Sequence, residues 1–214
     1  TKSSWAQELT RLDHEDDDPG TTWNERARTR EPGKMSPRMA WRAITSVLPK
    51  DAIISSDIGN NCAIGNAYPT FEQGRKYLAP GLFGPCGYGF PAICGAKIAQ
   101  PDVPVVGFAG DGAFGISMNE MVSVGRDELP PITMIIFRNY QWGAEKRNTT
   151  LWFDDNFVGT ELDTDVTYAG IAQQCGVKGV QVHGMDALAE ALDKAIDAQM
   201  KDKVTTFIEV VLNQ

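Results

Sequence analysis

The tripeptide Gly110-Asp111-Gly112 closes an apolar run, VPVVGFAGD, and opens AFGISMNEMVSVGRDE. Glycines let the backbone approach an anion closely, and a helix start offers free N–H groups and the positive end of its dipole. An aspartate there would repel a bare phosphate. It makes chemical sense if a hard cation sits between the two, and Mg2+ takes octahedral oxygen ligands that usually include substrate phosphates. Asn139 stands 28 residues on, at the end of the next apolar run, ITMIIF. Its amide oxygen can reach the same ion, and so can the carbonyl of Gln141; two phosphate oxygens and a water would complete the octahedron. From the tripeptide alone, an ordinary strand-to-helix turn capped by an aspartate remains equally open.

Other reactive side chains offer less. His14 and His183 lie far apart in sequence, and neither is read as catalytic. Cys62, Cys86, Cys94 and Cys175 form no CxxC pair and have no histidine at ligand spacing, which argues against zinc. Reduced thiols in a cytoplasmic protein are the expectation.

The elements that would position Asp111 and Asn139 follow from the pattern. AIISSD (52 to 57), VPVVGFAGD (103 to 111) and ITMIIF (132 to 137) read as buried strands, with VKGVQV and TTFIEVVL following. Ser36-Pro37 caps a helix whose apolar face is Met39, Ala40, Ala43, Ile44, Val47 and Leu48. Further helices are read at PAICGAKIAQ, at SMNEMVSVGRDE, at VTYAGIAQQC ending on Gly176, and from Met185 to Met200. Strands alternating with helices imply a three-layer α/β/α domain with a mainly parallel sheet, whose ligands bind beyond the carboxyl ends of the strands. Two long loops leave those ends. One is glycine-rich and follows Asp57; the other runs from Arg138 to about Thr164.

The 214 residues suit one domain with a tail. Residues 1 to 34 are charged and rich in Pro and Gly, and read as a linker or extended arm; 35 to 214 form the domain. A net charge of −8 makes nucleic acid an unsuitable partner. No apolar run approaches the roughly 20 residues a membrane span needs, and the N-terminus has no signal-peptide pattern.

GDGAF, the helix containing Glu120, LPPITMIIF and Asn139 together resemble the cofactor motif of thiamine diphosphate enzymes, and GPCGYGFPAICGAKIAQP resembles the glycine-rich segment before it. The resemblance covers about residues 36 to 212. It departs at Arg138, where the family often has asparagine. It implies a thiamine diphosphate and Mg2+ site, with Asp111, Asn139 and Gln141 at the metal. Gly84 would offer its carbonyl to the pyrimidine amino group, and Cys86 would take the place of the bulky residue that bends the cofactor. Ile58, Gly59, Asn60 and Asn61 would lie on the diphosphate side, Gly110, Gly112 and Ala113 would present backbone to it, and Gly143 and Ala144 would complete the contact. For Cys86 a buried structural thiol is the plainer alternative.

EDDDPGTTWNERAR, SDIGNNCAIGNAYP, GRKYLAPGLFGPCGYG and FRNYQWGAEKRNTTLWFDDNFVGTEL further resemble the C-terminal part of the sulfoacetaldehyde acetyltransferase family. That family converts sulfoacetaldehyde and phosphate to acetyl phosphate and sulfite. Two anionic reactants imply a cationic pocket. Arg75, Lys76, Lys146 and Arg147 are the candidates, the arginines leading because their forked donors match oxyanions; solvated surface charge is the alternative. Trp142 and Trp152 could wall the site or pack in the core.

The resemblance also implies an activating glutamate outside this chain, on a pyrimidine-binding domain and usually on another subunit of a homo-oligomer. The chain is then a fragment or the small subunit of a split enzyme. Rival readings are another thiamine diphosphate reaction such as acetolactate synthesis or 2-oxoacid decarboxylation, a dinucleotide-binding oxidoreductase, and a non-catalytic module. GDGAFG lacks the dinucleotide glycine pattern.

Overall fold

The computed structural model describes residues 34–71, 74, 76–126 and 128–213. The arm expected over 1 to 34, with His14, lies outside the described residues except for Lys34. Ser36 Oγ accepts from Met39 N at 3.2 Å, and Pro37 opens α1 (Pro37–Val47). The chain continues through β1 (Ile53–Ser56), α2 (Asn60–Gly65), β2 (Tyr77–Leu78), α3 (Gly89–Ala99), β3 (Val105–Gly110) and α4 (Asp111–Ser117). After a 3-10 turn come α5 (Met121–Val124), β4 (Thr133–Arg138), α6 (Gly143–Trp152), α7 (Tyr168–Gln174), β5 (Lys178–Val182), α8 (Met185–Asp197) and β6 (Thr206–Val211).

All strand pairings are parallel, in the order β2-β1-β3-β4-β6-β5. Side chains alternate across this sheet, so successive residues enter different cores. Phe108, Ile135 and Ile208 meet α1 and α8 on one face, with Trp41, Leu188 and Leu192. Ala109, Ile136 and Phe207 meet α3 to α5 and α7 on the other, with Phe90, Phe114 and Met121. Both faces of β1, β3, β4 and β6 are covered, which is why these strands read as largely apolar runs.

Three expectations need correction. The segment from Arg138 to Thr164 is not a plain loop: it contains α6 and a short antiparallel pairing of Gln141 with Glu161. Its polar, weakly patterned text hides the helix because none of α6 is buried. The helix read over 117 to 128 starts earlier, at Asp111, and is split by the 3-10 turn Met118–Glu120 before ending at Val124. The glycine-rich loop likewise holds α2 and β2.

Phe207 is fully buried and lies 5.4 Å from the Phe90 ring and 5.8 Å from that of Phe114. Phe207→Ala should destabilise the fold by about 3–5 kcal/mol through lost contact and the cavity left behind. A lowered denaturant midpoint would show it; an unchanged one would mean this layer is not packed as described.

Candidate functional site

Asp111 both ends the β3 run and begins α4, and it is buried to 1% exposure. A carboxylate taken from water needs donors. Its Oδ2 accepts from Tyr140 N at 2.7 Å, Asn139 N at 3.1 Å and Arg138 at 3.3 Å; its Oδ1 accepts from Gly112 N at 2.9 Å. Burial pushes its carboxyl above the usual carboxylate range, and these donors together with the Arg138 charge oppose that rise. Tyr168 fixes the backbone by donating to the Asp111 carbonyl at 2.8 Å.

The amides of Asn139 and Tyr140 reach one oxygen because the chain turns sharply as it leaves β4. Tyr140 adopts φ 61°, in the left-handed region, at a cost of about 1–2 kcal/mol. The turn also directs the Asn139 side chain and the Gln141 carbonyl back toward Asp111. The outer amide atom of Asn139 lies 3.3 Å from Asp111 Oδ1 and 3.1 Å from the Gln141 carbonyl oxygen. Turned one way, that atom is an NH2 donating to both. Turned the other, three oxygens converge with no proton between them, and only a cation reconciles them. The described residues contain no group of three or more His, Cys, Asp or Glu able to hold a metal. One carboxylate and two neutral oxygens are half a coordination sphere, which suits an ion that takes the rest from phosphate and water.

These oxygens form the floor of a cavity of about 270 Å3. Its other walls come from neighbouring strand ends. Ile58, Gly59, Asn60 and Asn61 follow β1; Gly110, Gly112 and Ala113 span the β3–α4 joint; Gly143 and Ala144 open α6. Gly84 and Cys86 enter from the glycine-rich loop. All the residues assigned to the cofactor or metal therefore share one cavity. Gly112 must lack a side chain: a Cβ there would lie 2.8 Å from the Trp142 ring, which lines the cavity beside it. A broader hollow of about 590 Å3 lies at the amino ends of the strands, between Pro101, Arg126, Lys178 and Thr205, and contains none of these groups. Ligands of parallel sheets bind at the carboxyl ends, so the smaller cavity is the candidate.

Not every expected residue comes to this cavity. Lys146 is paired with Glu161 at 2.6 Å, and Lys76 and Arg147 do not line the walls. Arg75 lies outside the described residues. Trp152 is 76% exposed, neither wall nor core. Cys86 is exposed, not a buried thiol; partial burial of its sulfur and the charges of Asp57 and Glu145 push it up, away from the nucleophilic thiolate.

Asp57 escapes the sequence reading. Fully buried at the end of β1, it accepts from Ile58 N at 2.9 Å, Gly87 N at 3.1 Å and Gly89 N at 2.7 Å. It thereby fixes the loop that brings Gly84 and Cys86 to the cavity. An acid at the end of an apolar strand is the signal that could have found it. Glu145, in the first turn of α6, also lines the cavity and carries no such signal.

The model of the thiamine pyrophosphate enzymes, C-terminal TPP binding domain, matches residues 57–210. The chain belongs to this family. It is 73% identical over its full length to a probable sulfoacetaldehyde acetyltransferase of Rhizobium meliloti and 72% identical to a sulfoacetaldehyde acetyltransferase of Roseovarius nubinhibens. It spans only 36% and 35% of those proteins, about a third of their length. It is 29% identical over 69% of its length to a probable acetolactate synthase large subunit of Methanocaldococcus jannaschii, covering 25% of that protein. The fold matches a thiamine diphosphate-dependent 4-hydroxybenzoylformate decarboxylase of Rhodococcus jostii, with TM-score 0.74 and 23% identity, over 86% of this chain and 34% of that one.

In this thiamine pyrophosphate-binding domain, Asp57→Ala would leave three amides without their acceptor. Each buried unpaired group costs about 1–3 kcal/mol. Hydrogen exchange at Gly87 and Gly89 should accelerate, while Asn139 and Tyr140, held by Asp111, keep their protection. Equal loss at both loops would show that Asp57 acts on the fold as a whole.

Proposed function

We propose that this domain binds thiamine diphosphate through Mg2+ and serves a sulfoacetaldehyde acetyltransferase. The convergence of oxygens from Asp111, Asn139 and Gln141 at the cavity floor carries the cofactor reading. The residues present fit the ion: Asp111 supplies the charge, Asn139 and the Gln141 carbonyl supply neutral oxygens, and the diphosphate and water supply the remainder. Gly112 and Ala113 present backbone N–H groups at the start of α4 to the diphosphate, with Ile58 to Asn61 across from them. Gly84 and Cys86 hold the pyrimidine side, and Gly143 and Ala144 close the end near α6.

The cofactor, when bound, makes the carbon of an added carbonyl group transiently nucleophilic. The net reaction converts sulfoacetaldehyde and phosphate into acetyl phosphate and sulfite. The aldehyde carbon rises to the acyl level as the C–S bond breaks, so no external oxidant is needed. The activating glutamate is assigned to a pyrimidine-binding domain outside this chain, on another subunit of a cytoplasmic homo-oligomer. The four free cysteines support the cytoplasmic setting, where thiols stay reduced. No helix among the described residues is long and apolar enough to cross a membrane. Identity above 70% over the whole of this chain favours this reaction over acetolactate synthesis, for which the likeness is 29% over 69% of it.

Three measurements test the reading. Asp111→Ala should abolish metal-dependent thiamine diphosphate binding in the assembled enzyme, and calorimetry showing unchanged affinity would refute the metal assignment. The assembled enzyme should release sulfite from sulfoacetaldehyde; CO2 from pyruvate without sulfite would leave the cofactor and reject the reaction. Arg75 or Arg147 is proposed to engage a substrate anion. Arg→Ala at the responsible position should raise the apparent KM for phosphate or sulfoacetaldehyde about 10- to 150-fold, with cofactor affinity retained. Wild-type constants in both variants would place the anion site elsewhere.

A further inference from the structure

Arg138 sits at the last position of β4, beneath the cavity floor, and is 2% exposed. A buried guanidinium needs partners for its fork of donors. One terminal nitrogen reaches Asp111 Oδ2 at 3.3 Å. The other donates to the carbonyls of Asp163 and Val166, the latter at 3.1 Å. The Nε faces Glu209 Oε1 at 3.6 Å, and Glu209 in turn accepts from Ala169 N at 3.0 Å. The Tyr140 and Tyr168 rings cover the group at 4.4 and 5.0 Å from their centroids.

This placement has two effects. The charge of Arg138 is balanced by Glu209, so the cluster of Arg138, Glu209 and Asp111 keeps one net negative charge, available to a cation. The same guanidinium also closes the excursion that leaves β4 at Asn139 and returns near Val166. Inside that excursion, Trp142 N donates to the Thr160 carbonyl at 2.8 Å and Leu162 N to that of Tyr140 at 2.9 Å. These bonds fix the segment that carries the Gln141 carbonyl. With Asp111 Oδ2 occupied by three donors, Oδ1, which accepts from Gly112 N alone, is the oxygen 3.3 Å from the outer amide atom of Asn139.

We propose that Arg138 is a positioning residue for the divalent cation: it orients Asp111 so that Oδ1 faces the ion, and it anchors the excursion that presents the Gln141 carbonyl. The inference rests on the cation reading given above. Its distinctive claim is that the forked geometry matters, not the charge alone. Lysine keeps the charge but carries all its donors on one nitrogen, whereas Arg138 reaches Asp111 with one terminal nitrogen and the two carbonyls with the other.

The test uses the intact protein, stripped of metal and saturated with thiamine diphosphate. Mn2+ is titrated in, and free ion is read from its paramagnetic resonance signal. Hydrogen exchange over residues 141–166 is followed on the same samples. Groups that orient metal ligands typically contribute about 10–100-fold to metal affinity. Arg138→Lys and Arg138→Gln should both weaken Mn2+ binding within that range, and both should speed exchange in the excursion while the β3 and β6 amides stay protected. If Arg138→Gln fails to fold, Arg138→Lys decides alone, because it keeps a cation beside Glu209. Wild-type Mn2+ affinity in Arg138→Lys, or unchanged exchange over 141–166, overturns the proposal. Absence of Mn2+ binding by the wild-type protein would reject the cation reading itself, a result distinct from either.

Discussion

A carboxylate buried at the joint between a strand and a helix needs donors or a cation on every side, and Asp111 sets this condition for the molecule. Much of the surrounding structure can be traced to it. The turn after β4 takes a left-handed Tyr140 so that two successive amides reach one oxygen. A guanidinium enters the end of an apolar strand to reach the same oxygen. Glu209 then enters β6, the strand paired with β4, to balance that guanidinium. Polar groups at such depth are costly unless all are satisfied, so each member constrains the next.

Asp57 has the equivalent role on the neighbouring strand. β1 and β3 are paired, and each leads into a buried aspartate that gathers backbone amides from a following segment. One aspartate fixes the glycine-rich loop, the other the excursion after β4. Because the sheet is parallel, both segments leave from the same edge, and the cavity is the space between them. Asp57 and Asp111 differ in one respect that bears on chemistry. Both oxygens of each aspartate accept from backbone amides, but Asp111 Oδ1 also lies 3.3 Å from the outer amide atom of Asn139, which lies 3.1 Å from the Gln141 carbonyl oxygen.

Much of this was legible in the sequence. The apolar runs marked β1, β3, β4 and β6 because strands covered on both faces seldom alternate with polar residues, while β5, at the sheet edge, kept exposed Lys178 and Gln181 between buried positions. Asp111 and Asn139 were legible because their spacing places them at adjacent strand ends. The helix α6 was not, since a helix lying on the surface without a buried face leaves no apolar period. Arg138 read only as a departure from asparagine. Its role depends on Glu209, 71 residues away in the chain, and on carbonyls of Asp163 and Val166 that no side-chain pattern reports. A charged residue inside each of two apolar strands was nevertheless a visible sign of a buried pair. Lys76, Lys146 and Arg147 do not line the cavity, and sequence, which gives their charge, does not show that Lys146 spends its charge on Glu161.

The closure of the excursion from Asn139 to Val166 by the Arg138 fork has a consequence for variation among proteins. Its two ends are pinned on the sheet, one by covalent continuity with β4 and the other by the guanidinium. For a flexible segment with fixed ends, the entropic cost grows only with the logarithm of its length, about 0.6 kcal/mol for each doubling. Insertions and deletions between the end of α6 and Thr160, outside the bonds that hold the cavity side, would thus be nearly neutral to the fold. The outer stretch of this excursion is a place where length can drift between lineages while the cavity floor beneath it stays in register.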